Sequence, residues 1–148
     1  MKLKRLIPLL VLPAALAAAG CGGTKLGVAA NDPLHRGAEI FNQRCGGCHT
    51  YDVASTEGSG TKPNGREYKD GPNFNLRKEQ YEEALYAIQN GGFSSGPMPQ
   101  NIVTGREAQL VACFVATFSG RDRTRDPSPG GATDTAKSTD CRGKIAPK

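Results

Sequence analysis

The residues with the clearest chemistry are two cysteines and a histidine in the run Cys45-Gly46-Gly47-Cys48-His49. Two thiols at this spacing, followed at once by an imidazole, are the pattern through which a c-type haem is attached covalently. The thiols can reach the two vinyl-derived carbons on one haem edge, and His49 can bind the iron as its proximal ligand. The motif therefore predicts one covalent haem c and a redox function.

A zinc site and a redox-active dithiol can use the same cysteine spacing. A structural zinc site takes four ligands, usually as two separated pairs, and the other candidate ligands of this chain form no second pair. Those candidates are Cys21, His35, Cys113 and Cys141. A redox dithiol is expected near a strand–helix–strand unit, whereas the residues before Cys45 have a helical pattern. Haem attachment therefore fits the sequence better than either alternative.

Met98 is the candidate for the second axial ligand of the iron. The chain has two methionines, and Met1 lies in an N-terminal targeting segment. Met98 stands in the run Gly96-Pro97-Met98-Pro99, whose prolines restrict the backbone and can hold the thioether in one direction. The alternative is a methionine that fills a gap in the core. His35 competes as a ligand, but it lies on the helix that leads into the motif and is expected to be a surface or capping residue.

These residues resemble the class I cytochrome c family, and the likeness runs from about Pro33 to Gly120. The resemblance implies an all-α cytochrome c fold, in which three main helices and long loops surround one covalently attached haem. Gly37 and Phe41 stand before the motif at the family's spacing. Gly37 would permit close approach of the C-terminal helix, and Phe41 would pack against an aromatic residue of that helix, for which Phe114 is the best candidate.

Two further loops resemble parts of the same family. Gly71-Pro72-Asn73-Phe74 is similar to the family's proximal loop. By that resemblance the carbonyl of Pro72 would accept a hydrogen bond from His49, which sets the tautomer of the imidazole and raises its basicity. Gly96-Pro97-Met98-Pro99 is similar to the family's methionine-ligand loop. The resemblance thus implies His49 and Met98 as the axial pair.

Apolar periodicity predicts three helices. The first has Asp32 as its N-cap and Pro33 as its first residue. The second spans about residues 77–90, ends at Gly91-Gly92 and is expected to pack beside the haem. The third begins at Thr104, which with Glu107 makes a capping box, and it ends before residue 119.

Residues 50–70 lack a periodic apolar pattern, and they are predicted to form a loop that covers the lower haem edge. The chain shows no strand signal there or elsewhere. Tyr51, Arg66 and Tyr68 are candidate contacts to the haem propionates, although a packing tyrosine or an exposed charge is the simpler interpretation of each.

The N-terminus has the layout of a secretory signal. Basic residues in Met1-Lys2-Leu3-Lys4-Arg5 precede an apolar run over residues 6–19, which is shorter than the roughly 20 residues of a membrane-spanning helix. Ala18-Ala19-Gly20-Cys21 resembles a lipoprotein processing site, so Cys21 is the candidate for lipidation. Cleavage by ordinary signal peptidase is the alternative and would leave a soluble protein. Export is predicted in both cases, either to a lipid-anchored position on the outer face of the bacterial cytoplasmic membrane or to the periplasm.

The predicted organisation has four parts: a lipoprotein signal peptide (1–20), a flexible tether (21–32), a cytochrome c domain (33–120) and a low-complexity, disordered tail (121–148). Two cysteines remain, Cys113 in the third helix and Cys141 in the tail. In an exported protein such a pair suggests a disulfide. A buried, inert Cys113 with a free tail thiol is the open alternative.

The charge of the chain excludes one class of partner. The formal net charge is +5, and it falls to +2 when Lys2, Lys4 and Arg5 leave with the signal peptide. Residues 21–118 then carry a net charge of −1. A nucleic-acid partner is therefore not expected, because phosphate binding relies on clustered Lys and Arg.

Axial ligation predicts the function. If His49 and Met98 fill both axial positions, no position remains for a small-molecule substrate, and the chain is predicted to be an electron carrier rather than an enzyme. Its expected partners are redox proteins of a respiratory chain, such as a quinol-oxidising complex or a terminal oxidase, with the membrane reached through the lipid anchor. The alternatives are a haem-bearing subunit of a larger membrane oxidoreductase and an open-site haem sensor or enzyme in which Met98 is displaced.

Overall fold

The computed structural model describes residues 25–58, 70–92, 97–120 and 141–147. Within these ranges the α-helices are α1 (His35–Arg44), α2 (Tyr81–Asn90) and α3 (Gly105–Phe118). Two short strands, β1 (Thr50–Tyr51) and β2 (Thr56–Glu57), flank a 3-10 turn at Asp52–Ala54, and a second 3-10 turn spans Arg142–Lys144. The described part of the chain is thus mostly helical, in agreement with the all-α prediction.

The hairpin of β1 and β2 is a feature that the sequence did not predict. The strands are antiparallel, with Thr50 opposite Glu57 and Tyr51 opposite Thr56. Strands of two residues are too short to show the alternation of apolar and polar side chains by which a strand is recognised. The expectation of a strand-free chain was therefore wrong at this one place.

Helix α3 is the centre of the core, because α1 and α2 both pack against it. A Cβ at Gly37 of α1 would lie 2.6 Å from the carbonyl oxygen of Leu110 in α3, so only glycine lets the two helices approach this closely. One turn along, the rings of Phe41 and Phe114 meet edge to face with their centroids 5.8 Å apart. Both contacts that the resemblance implied are present.

Tyr51 belongs to the same core. Its ring is fully buried, with centroid distances of 5.2 Å to Phe41, 5.7 Å to Phe74 and 5.1 Å to Phe114. Edge-to-face and tilted arrangements of this kind stabilise aromatic clusters beyond the area they bury. Tyr51 is therefore a packing residue, while Arg66 and Tyr68 lie outside the described residues.

Helix α1 begins two residues after the predicted start. The backbone N–H of Leu34 donates to Asp32 Oδ1 at 2.7 Å, and the N–H of His35 donates to the Asp32 carbonyl at 2.9 Å. Asp32 therefore closes a turn that precedes the helix, which is the local competition expected of an aspartate side chain. Leu34, not Asp32, occupies the N-cap position.

Helix α2 begins at Tyr81 rather than near Arg77. Tertiary contacts keep the preceding residues out of the helix: Lys78 Nζ donates to the Ala116 carbonyl, and the Glu79 N–H donates to Ser119 Oγ at 3.0 Å. Gln80 has φ −93° and ψ 155°. The end of α3 thus overrides local helix propensity, which is a weak influence by comparison.

Helix α3 begins at Gly105 with Thr104 as its N-cap, as predicted, but the capping box is absent. Thr104 makes no side-chain hydrogen bond to the helix end. Glu107 instead pairs with Arg36 of α1, with 3.2 Å between Oε1 and the guanidinium nitrogen. The capping-box prediction was wrong because a tertiary partner competes for the carboxylate.

Part of the predicted tether packs on the domain. Val28 is buried, the Gly27 N–H donates to the Val53 carbonyl at 2.8 Å, and His35 Nδ1 donates to the Val28 carbonyl at 3.0 Å. His35 is half-buried and serves to hold this segment, so residues 25–32 belong to the domain. The signal peptide and Cys21 lie outside the described residues.

The C-terminal segment, residues 141–147, packs against α3 instead of forming a free tail. A disulfide joins Cys113 and Cys141. Beyond it, Arg106 Nε donates to the Ala146 carbonyl at 2.8 Å, and the Ala146 N–H donates to Gln109 Oε1 at 2.7 Å. These contacts follow one stripe of α3, so this part of the predicted disordered tail is held to the domain. Residues 121–140 lie outside the described residues.

None of the helices in the described ranges has the length and apolar composition that crossing a bilayer requires.

The disulfide is expected to stabilise the fold measurably. It closes a sequence separation of 28 residues, and replacing both Cys113 and Cys141 by serine should lower the free energy of unfolding by about 3 kcal/mol. Thermal unfolding of the protein, with and without a phosphine reductant, measures the effect. Reductant should lower the melting temperature of the wild type and leave the double variant unchanged. If complete reduction of the disulfide left the melting temperature of the wild type unchanged, the prediction would be contradicted.

Candidate haem-binding site

The two cysteines and the histidine of the motif are brought together by a tight turn at the end of α1. The helix ends at Arg44, and the N–H groups of Cys48 and His49 both donate to the carbonyl of Cys45, at 3.1 and 3.0 Å. Cys45 and His49 are buried and Cys48 is half-buried. Two thiols and one imidazole therefore share a small volume at the edge of the core.

The loop that contains Pro72 is hydrogen-bonded to the motif on both sides of the histidine. The Gly71 N–H donates to the Cys48 carbonyl at 2.8 Å, and the Phe74 N–H donates to the Thr50 carbonyl at 3.0 Å. Between these two contacts, His49 Nδ1 lies 3.0 Å from the Pro72 carbonyl oxygen. A carbonyl only accepts hydrogen bonds, so Nδ1 carries the hydrogen and Nε2 keeps its lone pair for a metal ion.

Packing sets the orientation of the imidazole ring. Phe74 stacks on His49 with the ring centroids 4.7 Å apart and an interplanar angle of 12°. A Cβ at position 71 would lie 2.3 Å from His49 Cε1. Glycine is therefore required at 71, because any side chain there would displace the ring or the loop.

The electrostatics of the motif suit a neutral metal ligand. Burial lowers the pKa of His49 below its usual range; the hydrogen bond to Pro72 opposes this shift, and the charge of Arg77 adds to it. The imidazole is consequently neutral near pH 7 and able to donate its lone pair.

The cysteines lack the features of the two alternative sites. Burial raises the pKa of Cys45 to about 12, and the neighbouring Cys48 adds to the shift, whereas a redox-active dithiol has a thiol of depressed pKa. Among the described residues, no group of three or more His, Cys, Asp or Glu side chains is placed to hold a metal ion. The dithiol and the zinc cluster are thus both disfavoured.

A cavity of about 300 Å³ opens beside the motif. The motif contributes Cys45, Cys48 and His49 to its wall, and Met98 contributes a thioether. The remaining lining is mainly apolar and comes largely from α2, α3 and the loop between them; it includes Ala84, Ala87, Ile88, Ile102, Val111 and Val115. Two thiols, a neutral imidazole and a thioether around an apolar space are groups that can attach and ligate a haem.

The end of α2 positions Met98. The helix stops at Gly91, whose φ is 76°, as the sequence predicted. Gly92 and Met98 then form an isolated antiparallel bridge, in which each N–H donates to the other residue's carbonyl at 3.3 and 2.9 Å. The Asn101 N–H donates to the carbonyl of Ile88 at 2.8 Å. Met98 is therefore held by backbone hydrogen bonds to Gly92, just beyond the end of α2, and Asn101 ties the same loop to the helix itself; Gly96 lies outside the described residues.

The family model described as Cytochrome c matches residues 34–119. The chain belongs to the cytochrome c family. Membership confirms the predicted cytochrome c fold and the covalently attached haem c, and it makes haem-based electron transfer the activity of this domain. Comparisons with curated proteins and with solved structures gave no match.

The structure brings five of the predicted site residues together. Cys45, Cys48, His49, Pro72 and Met98 all line the one cavity. Cys113 and Cys141 lie elsewhere, in the disulfide on α3, and Cys21 lies outside the described residues.

Sequence reasoning missed several side chains of this site in the cytochrome c domain. The sequence places Phe74 in the proximal loop but does not predict its stacking on His49. Arg77, Glu79 and Glu83 also line the cavity. The sequence predicts a helix over residues 77–80, and no pattern in it shows that Lys78 and Glu79 bond instead to the end of α3.

Replacing Gly71 by alanine tests how tightly the imidazole is held. The added methyl group should force the His49 ring or the loop to move and lower the stability of the haem-loaded protein by roughly 1–3 kcal/mol. Gly47→Ala is the matched control, because a Cβ there meets no atom within 4 Å. Thermal unfolding and the visible spectrum report stability and iron ligation. If Gly71→Ala and Gly47→Ala had the same melting temperature and the same visible spectrum, the close contact between position 71 and the His49 ring would be contradicted.

Proposed function

We propose that the protein is an extracytoplasmic electron carrier in which His49 and Met98 are the axial ligands of the iron in one haem c. The observation that carries this proposal is that both side chains line one apolar cavity together with Cys45 and Cys48. When bound, the haem supplies reversible one-electron chemistry.

The residues of the chain have distinct tasks in this proposal. Cys45 and Cys48 hold the haem through thioether bonds. His49 presents Nε2 to the iron while Pro72 keeps the hydrogen on Nδ1, which strengthens the imidazole as a ligand. Met98 supplies the soft second ligand, and a thioether shifts the reduction potential in the positive direction. With both positions taken, no site is left for a substrate, which supports a carrier rather than an enzyme.

The motif also offers a route for electrons to the surface. Gly47 is exposed and Cys48 is half-buried, so the cysteine-bearing edge of the site lies close to solvent. A partner that docks over these residues needs only the small, transient interface typical of electron-transfer proteins. A quinol-oxidising complex as donor and a terminal oxidase as acceptor are the proposed partners.

Met98→Ala tests the axial assignment. The oxidised wild type should show the weak long-wavelength band of a sulfur–iron bond, and the variant should lose it. The reduced variant should bind carbon monoxide, and its potential should fall by a substantial part of the ~0.8 V over which axial ligands move haem potentials.

Ile102→Ala is the control for Met98→Ala, because Ile102 lines the same cavity and carries no donor atom. It should keep the band and remain unreactive towards carbon monoxide. A wild type that lacks the band and binds carbon monoxide readily would contradict the carrier function and favour an open-site sensor or enzyme.

The proposed location rests on the N-terminal sequence, with Cys21 as the lipidated residue. Two or more acyl chains give stable membrane anchoring, whereas one is marginal. The wild type should therefore fractionate with membranes until detergent is added, and Cys21→Ser should appear in the soluble periplasmic fraction with its haem attached. A wild type that is soluble without detergent would indicate cleavage by ordinary signal peptidase. Co-purification of a stable complex in mild detergent would instead indicate a subunit of a membrane oxidoreductase.

A further inference from the structure

Glu79 is a carboxylate buried at the wall of the haem cavity. The residue is 6% exposed and lines the cavity together with His49 and Met98. The second carboxylate of the lining, Glu83 on α2, is exposed. Carboxylates are almost never fully buried unless they are paired, so the position of Glu79 beside a redox site calls for an explanation.

Hydrogen bonds to the end of α3 hold the backbone around Glu79 at the wall of the cavity. Its N–H donates to Ser119 Oγ at 3.0 Å, and the preceding Lys78 reaches the carbonyl of Ala116 in α3. One residue after Ser119, the Gly120 N–H donates to the Phe74 carbonyl at 2.8 Å. The segment that carries Glu79 is thus bound to the end of α3 at several points.

Arg77, the positively charged partner of Glu79, is partly exposed to water. Arg77 Nε lies 2.5 Å from Glu79 Oε1, but the Arg77 side chain is 53% exposed. Water therefore screens the charge of the guanidinium, whereas burial destabilises the ionised form of the carboxylate. Burial raises the pKa of Glu79, Arg77 opposes the shift, and the like charge of Glu83 adds to it.

The other charged and titratable groups of the lining are few in the described ranges. Arg44 comes from the end of α1, His49 from the motif, Arg77 from the loop before α2 and Glu83 from α2. The Cys45 and Cys48 thiols do not titrate once they are thioethers, and α3 and the Met98 loop contribute no titratable side chain. Of the two carboxylates that line the cavity in the described ranges, Glu79 is therefore the buried one.

We propose that Glu79 couples reduction of the bound haem to proton uptake, so that the reduction potential falls as the pH rises through the titration of this carboxylate. The inference rests on the proposed carrier function. One electron from the redox partner would reduce the bound haem, and one proton would pass from hydronium in the solvent to a Glu79 carboxylate oxygen, so that one O–H bond of hydronium breaks and one O–H bond of the carboxyl forms. The added negative charge favours the protonated carboxyl, because like charges in a region of low dielectric repel strongly.

The direction of the effect follows from linkage. Glu79 has a higher pKa in the reduced protein than in the oxidised protein, and the potential is independent of pH below the lower value and above the higher one. Between them the potential falls with pH by at most ~59 mV per unit, the value for one proton per electron. A carrier with this property has a higher reduction potential, and so holds its electron more tightly, at the lower end of the pH range in which the potential changes.

Potentiometric titration of the haem-loaded protein across a range of pH tests the coupling. The wild type should show the sloping segment, and Glu79→Gln should abolish it because glutamine does not titrate. Glu82→Gln is the matched control, since Glu82 pairs with Lys144 and does not line the cavity; it should keep the segment. Arg77→Gln should move the segment to higher pH, because the guanidinium lowers the pKa of Glu79.

A second measurement keeps the test independent of the folding of any variant. Proton uptake on reduction of the wild type, followed with an indicator dye in weakly buffered solution, should reach a measurable fraction of one proton per electron inside the sloping segment. A slope that is identical in the wild type and Glu79→Gln would assign the effect to the haem propionates and overturn the inference. A wild type that reduces reversibly without proton uptake would also overturn it, and the carrier function would stand in both cases.

Discussion

The hydrogen bond from His49 Nδ1 to the Pro72 carbonyl is the interaction on which the site depends. It decides which imidazole nitrogen is free, and a metal ligand with the wrong tautomer cannot bind. The bond exists because backbone hydrogen bonds join Gly71 to Cys48 and Phe74 to Thr50, one on each side of the histidine. The chemistry of one side chain is therefore set by the pairing of two short, irregular segments.

The core explains why those segments meet. Phe41 of α1 contacts His49, Tyr51, Phe74 and Phe114, with ring centroids 5.2–6.1 Å apart, so the aromatic cluster joins α1, the motif, the proximal loop and α3. Helix α2 packs on the same α3 and carries Met98 at its end through the bridge to Gly92. The two candidate axial ligands thus come from separate parts of the chain that α3 brings to one cavity, which makes close packing between α1 and α3 at Gly37 a requirement of the site.

The sequence predicted the site better than its surroundings, for a physical reason. Covalent haem attachment constrains residue type and spacing directly, so Cys45, Cys48 and His49 could be identified from a motif, and the Pro72 contact followed from a family resemblance. The remaining features depend on tertiary partners that local patterns do not reveal. Ser119 helps to set the start of α2, Arg36 pairs with Glu107 in place of a capping box in α3, and Val53 binds the segment of residues 25–32. The burial of Glu79 could not be predicted for the same reason, because it results from the hydrogen bonds that hold its segment to the end of α3.

The most direct test of the account is an NMR spectrum of the reduced, haem-loaded protein labelled with carbon-13 at the methionine methyl groups. The chain has two methionines, and Met1 belongs to the predicted signal peptide, so the resonance of Met98 can be assigned with little ambiguity. If Met98 binds the iron, its methyl group lies over the haem plane, and the ring current should move the resonance far upfield of free methionine. A Met98 resonance at the position of free methionine would contradict the assignment of His49 and Met98 as ligands of one iron.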